Sequence, residues 1–264
     1  MRESEKEIDE LLVKKVDKRR ERIKDISDRI THDATISLET RKLLYSLLNK
    51  GIISEFVGIL SSGKEANVYY GKGQDGREIA IKIYRQIAQT SKWMIEYITG
   101  DPRFHKFRKK NIRSLIKTWA MKEYKNLKRA REAGVRVPEP LHVKNNIVIM
   151  EFIGSEGTPA RRLTEVGIDD PVRQLNDVLN AIQALFVKAN LIHGDLSPFN
   201  MLYHEGDVYF IDFAQGVLKD HPYAKKYFER DVDNVLGYFS PVLPEDFNRN
   251  ALLNKIIQNR PIEY

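Results

Sequence analysis

The sequence predicts an α+β fold of two lobes, the first built on an antiparallel β-sheet and the second mostly helical. Short apolar runs rich in β-branched residues, separated by turn residues, occupy residues 52–84 and 141–153. One long pattern of helical period lies between these groups, and helical spacing dominates from residue 171 onward. A chain of 264 residues is long enough to bury a core in each lobe.

Composition narrows the class of protein. Apolar residues make up 42% of the chain and charged residues 31%, as in a globular protein. The absence of cysteine excludes disulfides and cysteine-ligated zinc, and it is typical of an intracellular protein. No apolar run approaches the roughly 20 residues that span a bilayer, and the charged N-terminus lacks the apolar segment of a secretory signal. We therefore expect a cytoplasmic protein with no membrane association.

Residues 1–50 are expected to form an N-terminal helical extension. Between residues 4 and 30, apolar residues recur near helical spacing among alternating charges, which predicts one or two amphipathic helices. A short helix from Leu38 to Leu48 should follow, with Asp33 or Thr35 as its cap and the run 49–51 as its end.

Residues 51–153 are expected to form the sheet lobe. Its second and third strands should be joined by a glycine-rich hairpin at 71–76, and a basic, irregular insertion is expected at 85–112. The predicted helix is Arg113–Ala133, and the predicted strands are Ile52–Leu60, Ala66–Gly71, Glu78–Tyr84, Leu141–Val143 and Ile147–Ile153.

Residues 154–264 are expected to form the helical lobe, joined to the sheet lobe near Gly154. Pro171 suits the first turn of a helix that continues to about Phe186. Two short strands, Met201–His204 and Val208–Phe213, should follow, and helices over about 222–239 and 244–258 should close the chain.

The strongest chemical signal is the run His-Gly-Asp-Leu-Ser-Pro-Phe-Asn at residues 193–200, followed by Asp212 in an apolar strand. Phosphoryl transfer requires a carboxylate near the attacking hydroxyl and oxygen ligands that hold Mg²⁺ on the nucleotide phosphates. Asp195 and Asn200 on one loop, with Asp212 on a neighbouring strand, supply that set. Taken alone, Asp212 could instead form a structural salt bridge, because an unpaired buried carboxylate is costly.

Lys82 is the next candidate, as a lysine in an otherwise apolar strand. Such a lysine is a weak signal alone, but Glu123 lies on the apolar face of the predicted helix, with Trp119 and Leu127 four residues to either side. A carboxylate on a buried face requires a cationic partner. We therefore predict a Lys82–Glu123 pair that holds the lysine against the α- and β-phosphates of a nucleotide.

Two further segments are candidates for nucleotide contact. Small residues between the first two strands would let backbone N–H groups approach phosphate oxygens. This segment has one glycine and lacks the spacing of a Walker A loop. Its residues are Ser61, Ser62, Gly63, Lys64, Glu65 and Ala66. At the lobe junction, Met150, Glu151 and Ile153 lie where backbone groups would meet an adenine edge.

Together these motifs resemble the RIO family of atypical serine kinases, most closely its Rio1 branch in an archaeal-looking form. The resemblance covers about residues 50–240. The matching runs are S-S-G-K-E-A-N-V-Y, W-A-x-K-E at Glu123, M-E-F-I-G, H-G-D-L-S-P-F-N, Y-F-I-D-F-A-Q and E-R-D-V-D-N. The combination is highly specific, although each run alone is not.

The resemblance implies a bilobal protein-kinase-like fold without an activation segment or peptide-docking helices, and the use of ATP with Mg²⁺ or, as a further candidate, Mn²⁺. It makes Asp195 the catalytic aspartate, Asn200 and Asp212 the metal ligands, and residues 150–153 the adenine hinge. It also implies that Asp231 braces the catalytic loop. RIO proteins take part in maturation of the small ribosomal subunit, and some act as ATPases that phosphorylate their own metal-binding aspartate.

Charge distribution suggests a partner. Residues 101–131 hold twelve Lys or Arg and two acids, a local net of +10, so the rest of the chain sums to −3 within the total of +7. This basic segment is either a solvated helix face or a contact for the phosphates of ribosomal RNA in the pre-small subunit. Ser114, and after it Ser91, are candidate sites of self-phosphorylation beside the long basic insertion.

Two other functions compete with a protein kinase or ATPase. A small-molecule phosphotransferase of the aminoglycoside or choline kinase type carries similar H-G-D-L-x-x-x-N and I-D-F runs, but it usually has more acceptor-binding helices after the metal aspartate. A ribosome-assembly module would use its nucleotide pocket only as a switch. Transfer of label from ATP distinguishes these functions.

Overall fold

The sheet lobe is a five-stranded antiparallel sheet with strand order β1-β2-β3-β5-β4. The computed structural model describes residues 35–86, 91–108, 111–166 and 170–262. The strands are β1 (Glu55–Ser62), β2 (Ala66–Lys72), β3 (Glu78–Tyr84), β4 (Pro140–Lys144) and β5 (Ile147–Glu151). All five predicted strands are present: β3 has its predicted bounds, and the other four differ from prediction at one or both ends. The predicted first strand began too early, because the chain forms a bend before Glu55.

Helix α1 (Leu38–Asn49) covers the outer face of this sheet. Its buried Leu44 and Leu47 belong to a core with Phe56, Tyr69 and Ile81 of the sheet. The predicted cap was wrong. Ser37 is the N-cap and accepts a hydrogen bond from the Thr40 amide, whereas the Thr35 hydroxyl bonds to the Asn67 side chain at 2.9 Å. Asp33 and the predicted helices of residues 4–30 lie outside the described residues.

The insertion at 85–112 is not irregular throughout, as the sequence suggested. It contains helix α2 (Ser91–Ile98) and a 3₁₀ turn, Pro102–Phe104. Met94, Tyr97 and Ile98 are buried and lie on one face of α2. The Tyr97 ring stacks on the Tyr227 ring of the helical lobe, with centroids 4.8 Å apart. These contacts hold α2 against the helical lobe, and the charged residues around this apolar face masked it in the sequence.

Helix α3 (Ile112–Glu132) runs between the lobes and confirms the predicted helix to within one residue at each end. A capping box begins it: the Asn111 side chain accepts from the Ser114 amide, and the Ser114 hydroxyl accepts from the Asn111 amide. Gly134, at φ 84°, follows its C-terminal end. Its buried face includes Trp119, Glu123 and Leu127, which places one carboxylate among apolar groups.

The helical lobe follows a short hairpin at Gly154. Its helices are α4 (Pro171–Val187), α5 (Ala224–Tyr238) and α6 (Arg249–Ile257). Its short strands are β6 (Gly154–Ser155), β7 (Thr158–Pro159), β8 (Arg161–Arg162), β9 (Leu191–Ile192), β10 (Met201–His204), β11 (Asp207–Phe210) and β12 (Val217–Leu218). They pair as β11-β10-β8, β12-β9 and β6-β7. Helix α6 starts five residues later than predicted, because Asn248 supplies its cap. Among the helices that the structure describes, none is both long and apolar enough to cross a bilayer.

Strand β11 ends two residues before Asp212, a predicted metal ligand. The sequence predicted a strand through Phe213, but β11 stops at Phe210, and Asp212 has left-handed backbone angles (φ 63°, ψ 61°). A non-glycine residue in this region is uncommon and is found where the surrounding structure compensates for the strain. A 3₁₀ turn (Phe213–Gln215) follows, and the chain then enters β12.

Candidate active site

Lys82 and Glu123 meet as the sequence predicted. Strand β3 presents Lys82 towards helix α3, and its Nζ lies 2.7 Å from Glu123 Oε1. The side chains are 10% and 1% exposed, so the pair is largely shielded from water. A charge pair at this depth persists only with good geometry and further hydrogen bonds.

Both partners have a second contact. Lys82 Nζ also lies 3.0 Å from Asp212 Oδ1, and the Tyr84 hydroxyl donates to Glu123 Oε2 at 2.5 Å. Burial opposes charge on Lys82, but the carboxylates of Asp212 and Glu123 raise its pKa above the usual range. Burial raises the pKa of Glu123, and Lys82 and Tyr84 oppose that rise. Tyr84 was not singled out from the sequence, although it lies two residues after Lys82 and therefore on the same face of β3.

The loop at residues 193–200, called the catalytic loop after its predicted catalytic residue Asp195, is held in place by helix α5. The buried Asp231 carboxylate accepts from the Gly194 amide at 2.7 Å and the Leu196 amide at 2.8 Å. Burial raises the pKa of Asp231 to about 7, while the two N–H donors act in the opposite direction. Arg230 donates to the Gly194 carbonyl oxygen. This is the bracing contact that the family resemblance implied for Asp231.

Replacement of Asp231 by alanine is expected to destabilise the protein by about 2 to 6 kcal/mol, because two buried N–H groups lose their acceptor at about 1–3 kcal/mol each. Chemical denaturation measures this change. The matched control is Asp233→Ala on the same helix, whose ion pair with Arg249 is half exposed and should contribute about 1 kcal/mol or less. Equal losses in the two variants would contradict the bracing role.

Asp195 is oriented by two amide side chains. Asn200 Nδ2 lies 2.8 Å from the Asp195 carbonyl oxygen and 3.4 Å from Oδ2, and Gln215 Nε2 lies 2.8 Å from Oδ2. Burial, followed by the nearby charge of Asp212, raises the pKa of Asp195. Gln215 was not predicted as a site residue, although it ends the I-D-F-A-Q run that was singled out.

His193 connects the catalytic loop to the segment before Asp212. Burial lowers its pKa to about 4, so the ring is neutral at pH 7. Its Nε2 lies 2.9 Å from the Ile211 carbonyl oxygen, which makes Nε2 the protonated nitrogen. His193 therefore has a structural role in this arrangement.

The residues at 200 and 212 fit a Mg²⁺ site that is completed by nucleotide phosphates. The Asn200 amide nitrogen is directed at Asp195, so its oxygen is the atom left to act as a ligand. Burial opposes ionisation of Asp212, but Lys82 lowers its pKa, which keeps its carboxylate charged. Within the described ranges, no three His, Cys, Asp or Glu side chains form a metal cluster. Proteins bind Mg²⁺ through one or two carboxylates together with substrate phosphates and water.

The predicted phosphate segment forms the turn between β1 and β2. Ser61 and Ser62 end β1, and the Gly63 amide donates to the Ala66 carbonyl oxygen at 2.9 Å. The Lys64 side chain is exposed. Burial and the charge of Asp212 raise the pKa of Glu65 to about 7.

The hinge residues Met150, Glu151 and Ile153 lie at the end of β5, where the lobes join. Met150 and Ile153 are buried. The Glu151 side chain accepts from the Glu139 amide at 3.0 Å and pairs with Arg77 at 3.3 Å, so it is held outside the cleft.

In this site, a lysine of the sheet pairs with a carboxylate of helix α3, and a loop and a turn next to this pair carry Asp195 and Asp212. This arrangement is typical of a protein-kinase-like domain. Solved structures support this class. The Rio2 kinase from Chaetomium thermophilum aligns with a TM-score of 0.57 over 90% of this chain and 85% of its own, at 20% identity. Its ADP/Mg²⁺-phosphoaspartate complex aligns with 0.56 over 92% and 86%, at 19% identity. At these identities the likeness concerns the fold.

Sequence comparison defines the family. A model of the RIO domain matches residues 67–255. The chain is 41% identical to human serine/threonine-protein kinase RIO1, over 83% of this chain and 39% of that protein. It is 38% identical to the RIO-type serine/threonine-protein kinase Rio1 of Haloferax volcanii, over 84% of this chain and 76% of that protein. The chain therefore spans about two fifths of the human relative's length, and it belongs to the RIO family.

Proposed function

We propose that this chain is an ATP-dependent atypical serine/threonine protein kinase, an ATPase, or both, and that it binds Mg-ATP between its lobes. The observation that carries the proposal is the position of Lys82 Nζ, 2.7 Å from Glu123 and 3.0 Å from Asp212. One cation therefore links β3, helix α3 and the turn after β11. In phosphotransferases of this fold the same cation contacts the nucleotide phosphates.

Each site residue has a distinct proposed role. Asp195 accepts the proton of the attacking hydroxyl, and Lys82 binds the α- and β-phosphates. Asn200 and Asp212 would hold Mg²⁺, which supplies charge neutralisation on the phosphates when bound. The turn at residues 61–66 covers the phosphates.

Adenine recognition is assigned to the hinge backbone. The Glu151 amide donates to the Glu139 carbonyl oxygen, and the Ile153 carbonyl oxygen accepts from the Ala160 amide. Each residue has one backbone donor and one backbone acceptor. The other backbone group of Glu151 is its carbonyl oxygen, and the other backbone group of Ile153 is its amide. We assign these two to the base.

The proposal is tested by incubating the chain with γ-labelled ATP and Mg²⁺, with and without small ribosomal subunits, and mapping the labelled residue. A hydroxylamine-stable label on serine or threonine indicates a protein kinase. A hydroxylamine-labile label that Asp212→Ala abolishes indicates transfer to Asp212, and released phosphate indicates an ATPase. Absence of both transfer and hydrolysis would overturn the proposal. Label on an added aminoglycoside or choline alone would favour the small-molecule alternative.

Self-phosphorylation is expected at Ser114 or, second, at Ser91. Ser114 is in the first turn of helix α3, where its hydroxyl donates to the Asn111 carbonyl oxygen at 2.8 Å. A phosphate in a first helical turn interacts favourably with the helix dipole. Tryptic mapping should therefore find label within residues 85–115, and label found only outside this range contradicts the assignment.

Binding to rRNA of the pre-small ribosomal subunit is proposed for the outer face of helix α3. The twelve cations of the basic segment do not act as one surface: Lys122 is fully buried, and Arg103 pairs with Asp101 at 2.6 Å. Lys109 and Lys110 lie outside the described residues. Lys117, Lys125 and Lys128 are exposed, and helical periodicity places them on one side of α3. Exposed cations on one helix face match the spacing of a phosphate backbone better than a scattered set.

Reversing these three charges to glutamate should weaken binding to small-subunit rRNA by at least about ten-fold and reduce its salt dependence by roughly one unit of slope per lysine. Filter binding across a salt series measures both effects, while basal ATP hydrolysis should hold. The matched control reverses three exposed lysines elsewhere, Lys188, Lys225 and Lys226. If both triple variants weaken rRNA binding equally, the effect is due to the change in net charge. If the α3 variant binds rRNA with unchanged affinity, this helix face is solvent-exposed and does not contact rRNA.

A further inference from the structure

The turn after Asp212 carries a side chain that reaches the catalytic loop. Gln215 Nε2 lies 2.8 Å from Asp195 Oδ2, closer than the 3.4 Å of Asn200 Nδ2 to the same oxygen. The two backbones also approach closely: a Cβ at Gly194 would lie 2.9 Å from the Gln215 carbonyl oxygen. Gly194 has φ 78°, which favours glycine as well. The contact between the turn and the loop therefore extends over both backbone and side chain.

Helix α3 holds the turn on both sides of Gln215. The buried Lys122 Nζ donates to the Ala214 carbonyl oxygen at 3.0 Å and also to that of Gly216. Asn126 Nδ2 donates to the Phe213 carbonyl oxygen at 2.7 Å and to that of Gly216 at 2.8 Å. The carbonyl groups before and after Gln215 are thus anchored to a rigid helix. This arrangement fixes the origin of the glutamine side chain.

Both of these acceptors of Lys122 are backbone carbonyl oxygens rather than carboxylates. Burial lowers the pKa of Lys122 well below the usual range. Burying an amine costs solvation free energy, and in the described part of the chain Lys122 Nζ donates to main-chain oxygens alone, so its position requires a compensating role. Anchoring the turn that carries Asp212 and Gln215 is such a role.

We propose that Gln215 is a positioning residue for Asp195, an inference that rests on the proposed phosphotransferase function. Its amide engages Oδ2 and so directs Oδ1 at the acceptor hydroxyl. In the reaction, the acceptor oxygen forms a bond to the γ-phosphorus as the bond to the bridging oxygen of ADP breaks. The hydroxyl proton passes to Asp195. Gln215 exchanges no proton and contacts no reacting atom, so it acts through the geometry of the carboxylate.

The test is steady-state kinetics of Gln215→Met, which keeps the side-chain length without the donor, and of Gln215→Glu, which adds a second carboxylate. For Gln215→Met, kcat should fall by about 10- to 100-fold, the equivalent of a hydrogen bond to a charged group. The KM for ATP should stay within about two-fold, because the role assigned to Gln215 is its contact with Asp195 and not the binding of ATP. Gln215→Glu should lose more, since like charges repel. The matched control, Gln183→Met, lies against Lys255 and Arg260 at the far end of the lobe and should keep wild-type kinetics.

A second measurement separates failure of this inference from failure of the proposed function. Thermal unfolding of Asp195→Ala, Gln215→Met and the double variant, without nucleotide, forms a double-mutant cycle. The double variant should shift the Tm by less than the sum of the single shifts. If the wild type transfers no phosphate, the proposed function fails, and the cycle still decides the contact. Additive shifts, an unchanged kcat in Gln215→Met, or a rise in KM equal to the loss in kcat would each overturn the positioning role.

Discussion

Alanine at Asp212 is expected to lower nucleotide affinity and turnover together, whereas alanine at Asp195 should lower turnover alone. Asp212 is a proposed metal ligand, and it also holds Lys82 at 3.0 Å. Its removal takes one ligand from Mg²⁺ and one partner from the phosphate-binding lysine. Loss of a residue that only hydrogen-bonds to a metal ligand typically lowers metal affinity by about 10- to 100-fold. Loss of the ligand itself should lower Mg-ATP affinity by at least that factor.

Asp195 makes no comparable ground-state contact. Its carboxylate bonds to Asn200 and Gln215, and its proposed role begins when the acceptor hydroxyl attacks. Turnover of Asp195→Ala should therefore fall by about 10²- to 10⁴-fold, while Mg-ATP affinity stays within about two-fold.

Calorimetric titration with ATP, with and without Mg²⁺, measures affinity, and phosphate release measures turnover. Asp220→Ala, an exposed aspartate beyond β12, is the matched control and should change neither quantity. Equal loss of affinity in the Asp195 and Asp212 variants would mean that their roles have been wrongly assigned.

The second large effect concerns the buried pair of Lys82 and Glu123. The structure predicts that loss of the lysine destabilises the protein more than loss of the glutamate charge. Lys82→Met leaves Glu123, which is 1% exposed, with the Tyr84 hydroxyl as its one remaining side-chain donor among the described residues. Removal of one partner of a buried pair costs about 3–5 kcal/mol, because the other charge is left uncompensated. Glu123→Gln should cost less, since Lys82 keeps its contact with Asp212. The double variant should recover most of the loss of Lys82→Met, because residue 123 is then neutral and Asp212, which also loses Lys82, has a side chain that is 45% exposed.

Denaturant unfolding of the two single variants and the double variant measures this coupling. The matched control is Lys72→Met on β2. Its 3.5 Å pair with Glu55 has side chains 38% and 26% exposed and should contribute about 1 kcal/mol or less. Additive losses at Lys82 and Glu123, or equal losses for the two lysines, would contradict a coupled buried pair.

Local patterns predicted much of this fold correctly. Strand β3 and strand β10 match their predicted bounds at both ends, and helix α3 matches to within one residue. Apolar periodicity and turn residues are encoded within a few neighbouring positions, so a single sequence reveals them. The same locality explains the errors: helix α2 has only a short apolar face, and the strand expected at Asp212 was inferred from a continuous apolar run.

The sequence by itself determined the two-lobe order, the loop that carries Asp195 and Asn200, and the pairing of Lys82 with Glu123. The glutamate was identifiable because a carboxylate on an apolar face requires a cation. Only the tertiary structure decided that Asp212 leaves its strand in a left-handed conformation and shares Lys82, and that Gln215 meets Asp195. It also decided which cations of residues 101–131 are buried. Lys82 and Asp212 are 130 residues apart. Such contacts depend on how whole elements pack, whereas periodicity and spacing report only on each element separately.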